Sequence, residues 1–348
     1  MILSIRIEAR WGRPLRCYLL GESIHSGQIL RISSRAMEKK KPFGNTPKDQ
    51  YLASARDRRH TFLLADGAMR GVILNGTRMV NEMRSNHELG VLETLVLGRA
   101  YLGAALMAAD LKGNDRIAVR IECSGPIQGL NVEANAFAEV RGYLKRVPIP
   151  IDAPMQDFNL SPFFGAGFLS VTKYLEDAKQ PFTGQVELAY GNIAQDLAYY
   201  YLISEQIHTA FNISIKFDRN GDVTGAGGIF LQAMPLAGDR LAAELEERIL
   251  KFPSLGDVFT TNQGAETVVQ EVLGRYEPRF LETRRVEFMC HCSRDRLRRM
   301  LTLLPIDDLR DLCDNGPFPL EMPCRNCNTS YSFSREEIQE IYGSRPNL

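Results

Sequence analysis

Residues 91–111 have the sequence VLETLVLGRAYLGAALMAADL, and this stretch decides the fold. Its residues favour a helix that is apolar on nearly every side, with polar interruptions only at Glu93, Thr94, Arg99 and Asp110. Such a helix must be covered on more than one side, and the internal charges disfavour a membrane helix. We therefore expect a helix buried at the centre of the domain. Five small residues would let neighbouring layers approach it closely: Gly98, Ala100, Gly103, Ala104 and Ala105.

The segments around this helix carry strand patterns. Apolar and polar residues alternate over residues 117–123 and again over residues 130–134. Strands before and after a buried helix, with few βαβ alternations, predict an α+β core domain of β-sheets around a buried central helix, over residues 57–237. Further strands are predicted at 70–75, 139–144, 167–173, 185–190, 213–218 and 228–232, and further helices over 80–87 and 193–210.

Residues 238–285 change in character. Leu241, Leu245 and Ile249 recur at helical spacing among charged residues, and Val268 and Val272 do so again after a glycine. Short amphipathic helices of this kind depend on docking for their stability. We predict a metastable helical linker, which is either a plain structural connector or a segment that can undock and display its apolar faces.

The C-terminal residues 286–343 form a small cysteine-containing module. Two short helices are predicted over 294–304 and 306–313, followed by a hairpin over 323–333. Ser334 and Glu337 form a capping box for a last helix that ends at Gly343. A module of this size with few large apolar residues has a marginal core, so a bound metal should supply much of its folding free energy.

Four of the seven cysteines lie in two close pairs within this module, namely Cys290, Cys292, Cys324 and Cys327. Two close pairs separated by a spacer predict a tetrahedral four-thiolate site, for which Zn²⁺ is the expected metal. The usual zinc ribbon has CxxC on both sides, whereas the first pair here is CxC. His291 lies between two of these ligands and is expected to be a spectator, while Cys313 and Cys123 are expected to be small buried residues.

Five arginines lie close to the cysteines in sequence. Nearby cations favour the thiolate form of cysteine, which is the form that oxidants attack, but such arginines more commonly lie on a solvated helix face. Each cysteine pair is close enough in sequence to form a local disulfide once the metal leaves. We therefore hypothesise a redox switch in which oxidation releases zinc, unfolds the module and loosens the linker. The arginines are Arg294, Arg296, Arg298, Arg299 and Arg325.

Composition limits the classes of function. The 348 residues are 44% hydrophobic and 24% charged, as in an ordinary globular protein. The net charge of zero conceals a basic start, because residues 1–59 hold 13 Lys/Arg against 5 Asp/Glu and the remainder is acidic. An acidic main domain disfavours a dedicated nucleic-acid binder. We find no nucleophile–base constellation, and we expect a cytoplasmic protein in which cysteines bind metal or undergo redox chemistry.

Residues 1–56 show no clear periodicity and few acids, so we predict a poorly ordered N-terminal extension. An Arg-rich, acid-poor start is compatible with an organelle transit peptide. The alternative is an overextended reading frame whose real start is Met37. Sequencing of the natural N-terminus distinguishes the two.

The cysteine segments at residues 288–294, FMCHCSR, and 322–327, MPCRNC, resemble the zinc-binding halves of the heat shock protein 33 family, the redox-regulated holdase chaperones. The resemblance covers about residues 57–343. The N-terminal extension and the additional thiol of Cys313 depart from the family pattern. Supporting matches are GPIQGL at 125–130, VRGY at 140–143, IAQDLAYY at 193–200, SEQ at 204–206 and LQAMP at 231–235.

The resemblance implies an α+β core, a metastable linker and a C-terminal zinc module. It implies an ATP-independent chaperone, not an enzyme, that is silent when reduced and zinc-bound. After oxidation it would bind unfolding client proteins as a homodimer, with no role for nucleic acid, membrane or catalytic residues. The implied ligands of one Zn²⁺ are Cys290, Cys292, Cys324 and Cys327, and the implied disulfides are Cys290–Cys292 and Cys324–Cys327.

Two alternatives from other classes are kept. A zinc-ribbon nucleic-acid-binding protein would need a basic surface with stacking aromatics. A thiol-disulfide oxidoreductase would need its CxxC at the start of a helix that follows a strand, whereas residues 324–327 are predicted at the tip of a hairpin.

Overall fold

The strands of the protein form two large sheets and one hairpin. The computed structural model describes residues 37, 57–151, 159–235 and 237–345. Within them the strands are Arg58–Leu64 (β1), Met69–Asn75 (β2), Arg116–Cys123 (β3), Gly129–Asn135 (β4), Glu139–Leu144 (β5), Gly167–Tyr174 (β6), Phe182–Glu187 (β7), Thr209–Phe217 (β8), Val223–Ala233 (β9), Arg279–Arg285 (β10), Glu287–Phe288 (β11), Leu320–Pro323 (β12) and Ser330–Phe333 (β13).

The helices surround and separate these sheets. Short 3₁₀ turns follow β1, the central helix and the last linker helix. The α-helices of the described residues are Thr77–His87 (α1), Val91–Met107 (α2), Ser161–Phe164 (α3), Ile193–Tyr200 (α4), Asp239–Leu250 (α5), Leu255–Thr260 (α6), Ala265–Leu273 (α7), Arg294–Leu301 (α8), Ile306–Asn315 (α9) and Arg335–Gly343 (α10).

Helix α2 is the predicted central helix, and it contacts strands of both large sheets. A Cβ atom placed on Gly98 would lie 2.7 Å from Ile215, and one placed on Gly103 would lie 2.6 Å from Leu197. Both distances are too short for a real side chain, so these glycines allow the close approach of the neighbouring elements. The structure confirms an α+β core built around a buried helix.

The same helix has the length and composition of a membrane span. Together with the turn that follows it, α2 forms the stretch Val91–Asp110, the one such stretch found among the described residues. In the 18-residue window that defines it, 83% of the residues are buried inside the fold. Its apolar surface is thus covered by the protein's own sheets.

The five-stranded sheet has the order β10-β1-β2-β9-β8, and its strands β2 and β9 bury apolar residues on both faces. On β2, Val72 and Leu74 point towards α2, whereas Ile73 points to the opposite face. That opposite face is covered by α5, α6 and α7, and we call this apolar cluster the linker core. It contains Phe62, Leu64, Met69, Ile73, Ala210, Ile229, Leu231, Leu245, Ile249, Phe252, Leu255, Phe259, Ala265, Val268, Val269, Leu273 and Tyr276.

The six-stranded sheet has the order β11-β5-β4-β3-β6-β7 and packs one face on α2. Its strands pair antiparallel except for β11, which runs parallel to β5. Residues alternate between buried and more exposed along β5 and β4, as expected for a sheet with one solvated face. Strand β11 therefore connects the C-terminal part of the chain to the sheet beside the central helix.

The C-terminal module has a small apolar cluster of its own, which we call the module core. Its last helix, α10, begins with the predicted capping box of Ser334 and Glu337 and ends at Gly343. Strands β12 and β13 form the predicted hairpin. The cluster consists of Leu297, Leu301, Leu309, Cys313, Met322, Tyr331, Phe333, Ile338 and Ile341.

Some predicted elements differ from the structure. The helix predicted over 193–210 ends at Tyr200, continues as the π-helical turn Tyr201–Glu205 and gives way to β8 at Thr209. The left-handed backbone of Gln206, with φ of 58°, ends the helical path.

Strands β1, β10 and β11 were not predicted, and β10 lies within residues 238–285, so this segment contributes a sheet strand as well as helices. Except for Met37, the predicted N-terminal extension lies outside the described residues.

A four-cysteine candidate metal site

The first cysteine pair is held between a buried strand and a capped helix. The backbone N–H of Met289 donates to the carbonyl of Val140 at 3.0 Å, which extends the pairing of β11 with β5. Phe288, fully buried, packs beside the ring of Tyr101 with a centroid distance of 6.2 Å. Beyond Cys292, the hydroxyl of Ser293 caps α8. Both ends of the CxC segment are therefore fixed.

The second cysteine pair lies in the turn between β12 and β13. The N–H of Cys324 donates to the carbonyl of Thr329 at 2.9 Å. The carbonyl of Cys324 accepts from the N–H groups of Cys327 and Asn328 at 3.2 and 2.7 Å. Asn328 adopts the left-handed conformation, with φ of 56°, which lets the chain turn back so tightly. This loop brings the sulfur atoms of Cys324 and Cys327 to the same side.

The structure brings all four predicted cysteines together. Their Sγ atoms lie within 4.8 Å of one another. The Sγ atoms of Cys290 and Cys324 are 3.8 Å apart, and those of Cys292 and Cys327 are 3.4 Å apart. Four sulfurs at about 2.3 Å from a tetrahedral metal would be separated by about 3.8 Å, whereas a disulfide bond measures about 2.05 Å. The cluster consists of free thiols that can hold a metal ion.

The charge balance of the cluster also fits a cation. Hydrogen bonds from Cys292, Cys324 and Cys327 hold the pKa of Cys290 far below its usual range. The corresponding hydrogen bonds with Cys290 and Cys292 raise the pKa of Cys324 well above its usual range. These opposite pKa shifts disfavour ionisation of all four thiols together. A divalent metal would stabilise all four thiolates at once.

Polar groups outside the cluster contact the sulfur atoms. The hydroxyl of Tyr331 lies 3.1 Å from Sγ of Cys292, and that of Thr329 lies 3.4 Å from Sγ of Cys327. The backbone N–H of Cys290 donates to the sulfur of Met37 at 3.0 Å. Such outer contacts orient metal ligands and tune the metal.

Three of the five arginines that lie near the cysteines in sequence contact other groups in the structure. Arg294 forms a bidentate pair with Glu337, at 2.7 and 2.8 Å, and Arg298 lies 3.3 Å from Glu340. These two guanidinium groups thus serve ion pairs within the module. Arg325 lies over the ring of Tyr143.

Arg141 of β5 contacts a sulfur of the cluster, since its Nη1 lies 3.8 Å from Sγ of Cys290. Sequence reasoning did not assign this residue to the site, because it lies 149 positions before Cys290. The one signal in the sequence is the place of Arg141 in the motif VRGY at 140–143, which supports the family resemblance but assigns no role to the arginine.

The remaining candidates lie away from the sulfur cluster. His291 is exposed and pairs with Glu139, with 2.7 Å between Nε2 and Oε2. Cys313 is buried in the module core, as predicted, and burial raises the pKa of its thiol. Cys123 is half-buried at the end of β3. The seventh cysteine of the sequence, Cys17, lies outside the described residues.

Comparison with known proteins gives the family. A family model described as "Hsp33 protein" matches residues 57–334. The chain belongs to the Hsp33 family. The resemblance found in the cysteine segments is thereby confirmed over most of the chain, and it places the protein among chaperones.

Relatives in this family match over nearly their whole lengths. The "33 kDa chaperonin" of Desulforamulus reducens is 34% identical over 278 residues, which cover 80% of this chain and 94% of the relative. That of Lachnoclostridium phytofermentans is 32% identical over 279 residues, with coverages of 80% and 95%. The crystal structure of the 33 kDa chaperonin from Thermotoga maritima, a heat shock protein 33 homolog, matches with a TM-score of 0.74 and 31% identity, covering 83% of this chain and 98% of that one.

Proposed function

We propose that this member of the Hsp33 family is a redox-regulated, ATP-independent holdase that binds unfolding client proteins under oxidative stress. The observation that carries the proposal is the convergence of four free thiols at the boundary between the apolar cluster around α2 and the module core. Cys290 and Cys327 pack with the residues around α2, and Cys292 and Cys324 also contact the module core. A chemical change at these sulfurs therefore acts on both parts of the fold.

Zinc is the metal that we assign to the reduced state, with Cys290, Cys292, Cys324 and Cys327 as its four ligands. Four thiols whose Sγ atoms all lie within 4.8 Å of one another, with no carboxylate in the described cluster, match the ligand set of a structural zinc site. When bound, Zn²⁺ would supply a cross-link between the two cysteine segments. No reaction of a substrate at the metal is proposed, and the protein would not be an enzyme.

Oxidation would proceed at the sulfurs in two balanced steps. The thiolates of Cys290 and Cys292 form one S–S bond and give up two electrons, which reduce one peroxide to two hydroxide ions. Cys324 and Cys327 do the same with a second peroxide. Disulfide sulfurs no longer bind metal as thiolates do, so the ligand set is lost and Zn²⁺ leaves. The module core, which holds few large side chains, would then unfold.

Unfolding of the module would loosen the linker helices and uncover apolar surface. Strand β11 leads directly from β10 to Cys290, so disorder at the cysteines acts on the strand that flanks the linker core. Under α5, α6 and α7, Phe62, Ile73, Ile229 and Leu231 are almost fully buried. A contiguous apolar face of this kind suits the exposed segments of unfolding clients. We further propose a homodimer after oxidation, a cytoplasmic location, and no function on nucleic acid or membranes.

A peroxide titration tests the proposal. Reduced, zinc-loaded protein is titrated with peroxide at mild heat, while a chromogenic chelator reports zinc release and light scattering reports aggregation of a heat-labile test enzyme. We expect zinc release and suppression of aggregation to rise together, and ATP to have no effect. Release of zinc without any gain in holdase activity would contradict the proposal.

Two serine variants test the ligand assignment. Cys290→Ser should abolish stoichiometric zinc binding because it removes one of four thiolates. Cys313→Ser should keep one zinc per chain, since this thiol lies in the module core outside the cluster. Normal zinc content in Cys290→Ser would refute the assignment.

A further inference from the structure

Strand β5 contacts both cysteine segments along most of its length. Strand β5 belongs to the six-stranded sheet, where it pairs with β11 on one side and with β4 on the other. Five successive β5 residues each contact at least one residue of the cysteine segments: Glu139 with His291, Val140 with Met289, Arg141 with Cys290, Gly142 with Asn326, and Tyr143 with Arg325.

The adjacent end of α1 fixes the second pair as well. The side-chain amide of Asn86 donates to the carbonyl of Cys327 at 3.0 Å, and that of Asn328 donates to the carbonyl of Asn86 at 3.0 Å. Asn86 is 2% exposed, so these bonds lie in a water-poor environment where they are costly to lose. The core thus provides part of the surroundings of the sulfur cluster.

Arg141 is the β5 residue that reaches a sulfur directly. Its guanidinium donates to Glu133 at 3.0 Å through Nε and at 2.6 Å through Nη2, which leaves Nη1 directed at Cys290. The Arg141 and Glu133 side chains are only 17% and 23% exposed. Both N–H groups donate to one carboxylate oxygen, Oε2 of Glu133, and these two charge-assisted bonds restrict the guanidinium plane. Arg141 is therefore held in place by a residue of the same sheet, Glu133.

A fixed cation beside Cys290 has a definite chemical effect. Four thiolates around a divalent ion carry a formal charge of −2, which a guanidinium partly compensates. An N–H donated to a thiolate also withdraws electron density from the sulfur and makes it less nucleophilic. We propose that Arg141 is a positioning residue of the metal site, supplied by the core, which slows metal loss and oxidation at Cys290. The inference rests on the proposed function of the four cysteines.

The test compares Arg141→Met with Arg120→Met, which removes an exposed arginine from the same sheet. Zinc affinity is measured by chelator competition under reducing conditions, and the rate of zinc release is measured after addition of peroxide. Loss of an outer-sphere partner typically weakens metal binding about 10- to 100-fold. We expect a weakening in this range and faster release for Arg141→Met, no change for Arg120→Met, and an intermediate result for Arg141→Lys.

A spectroscopic measurement separates this role from a general loss of structure. In the Co²⁺-loaded protein, loss of the N–H donor should shift the thiolate-to-cobalt charge-transfer band of Arg141→Met to longer wavelength. If circular dichroism shows that Arg141→Met is unfolded, Arg141→Lys and Glu133→Gln replace it, with the same expected direction. Wild-type zinc affinity, release rate and cobalt spectrum in the folded variant would overturn the inference. Failure of the wild-type protein to bind zinc would instead overturn the proposed function.

Discussion

Asp57 is a buried carboxylate at the start of the described core. Its two oxygens accept hydrogen bonds from the backbone N–H groups of Arg78 and Met79 at 3.1 and 2.8 Å, so it caps α1. Only 1% of the residue is exposed, and burial raises the pKa of the carboxyl to about 7 against the lowering effect of these hydrogen bonds. The carbonyl of Asp57 also accepts from the N–H of Val286, just before β11.

The raised pKa of Asp57 predicts a pH dependence of stability. The folded state holds the proton more tightly than the unfolded state, so this contribution is fully present below about pH 4 and is lost as the pH rises through about 7. A shift of this size corresponds to about 4 kcal/mol in the free energy of unfolding. Urea denaturation measures the free energy of unfolding of the reduced protein between pH 4 and 8. As the pH rises over this range, the value for the wild type should fall relative to that of Asp57→Asn.

The control for this measurement is Asp66→Asn, because Asp66 is exposed. The free energy of unfolding of Asp66→Asn should change with pH in the same way as that of the wild type. Parallel pH curves for the wild type and Asp57→Asn would show that the buried carboxyl does not titrate in this range.

At the scale of elements, the sequence predicted those parts whose pattern is local. Strand β5 occurs at the predicted residues, and β3 and β4 lie within one residue of the alternating segments, because one face of each is solvated and the other packs on α2. The capping box of α10 was likewise legible, since it depends on two residues three positions apart. Each cysteine pair is also a local pattern, and two such pairs together predict the ligand set of one metal site.

The elements that were missed depend on distant partners. Strand β10, with the sequence RFLETRR, has four charged residues in seven and forms through its pairing with β1. Strand β11 has two residues and exists because β5 lies beside it. The contact of Arg141 with Cys290 follows from that pairing. No local pattern encodes a register between residues 139 and 287, so sequence periodicity could not have found it.

Two leucines of the linker helix α5 provide a matched pair of variants. They test what holds the linker helices against the five-stranded sheet. Leu245 is fully buried in the linker core, whereas Leu250 in the same helix is 64% exposed. Truncation of a buried leucine typically costs about 2 to 5 kcal/mol, and surface changes stay within about 0.5 kcal/mol. In the reduced protein, Leu245→Ala should speed hydrogen exchange over residues 239–273 and raise the binding of a hydrophobic dye.

Leu250→Ala should match the wild type in both measurements. Equal exchange rates for the two leucine variants would mean that the helix is not held by its contact with the five-stranded sheet. Holdase activity of reduced Leu245→Ala without peroxide would further link undocking of the linker to client binding.

At the scale of the whole molecule, the fold contains apolar clusters of very unequal size. The clusters around α2 and under the linker helices are large, whereas the module core is small. Structural zinc contributes about 10 to 16 kcal/mol in small peptides, which is comparable to the whole stability of a typical domain. The folding of the C-terminal module should therefore depend on a bound metal, whereas the folding of the cluster around α2 should not.

Chelation under reducing conditions tests this difference directly. After removal of the metal with a chelator and reductant, hydrogen exchange should become fast over residues 294–343, while amides of β4 and β9 keep their protection. Addition of Zn²⁺ should restore the slow exchange. Retained protection of residues 294–343 without metal would show that the module core is sufficient by itself.

Both large sheets receive an edge strand from the last third of the chain, since β10 completes one and β11 completes the other. During synthesis, the ribosome produces β1 and β5 long before these partners exist. Until β10 and β11 have emerged, β1 and β5 each lack a partner strand and expose a row of unpaired backbone groups, to which strands of other chains readily pair. A member of this chaperone family thus passes through a stage of its own synthesis with two unpaired strands, and that stage ends only as the first cysteine pair leaves the exit tunnel.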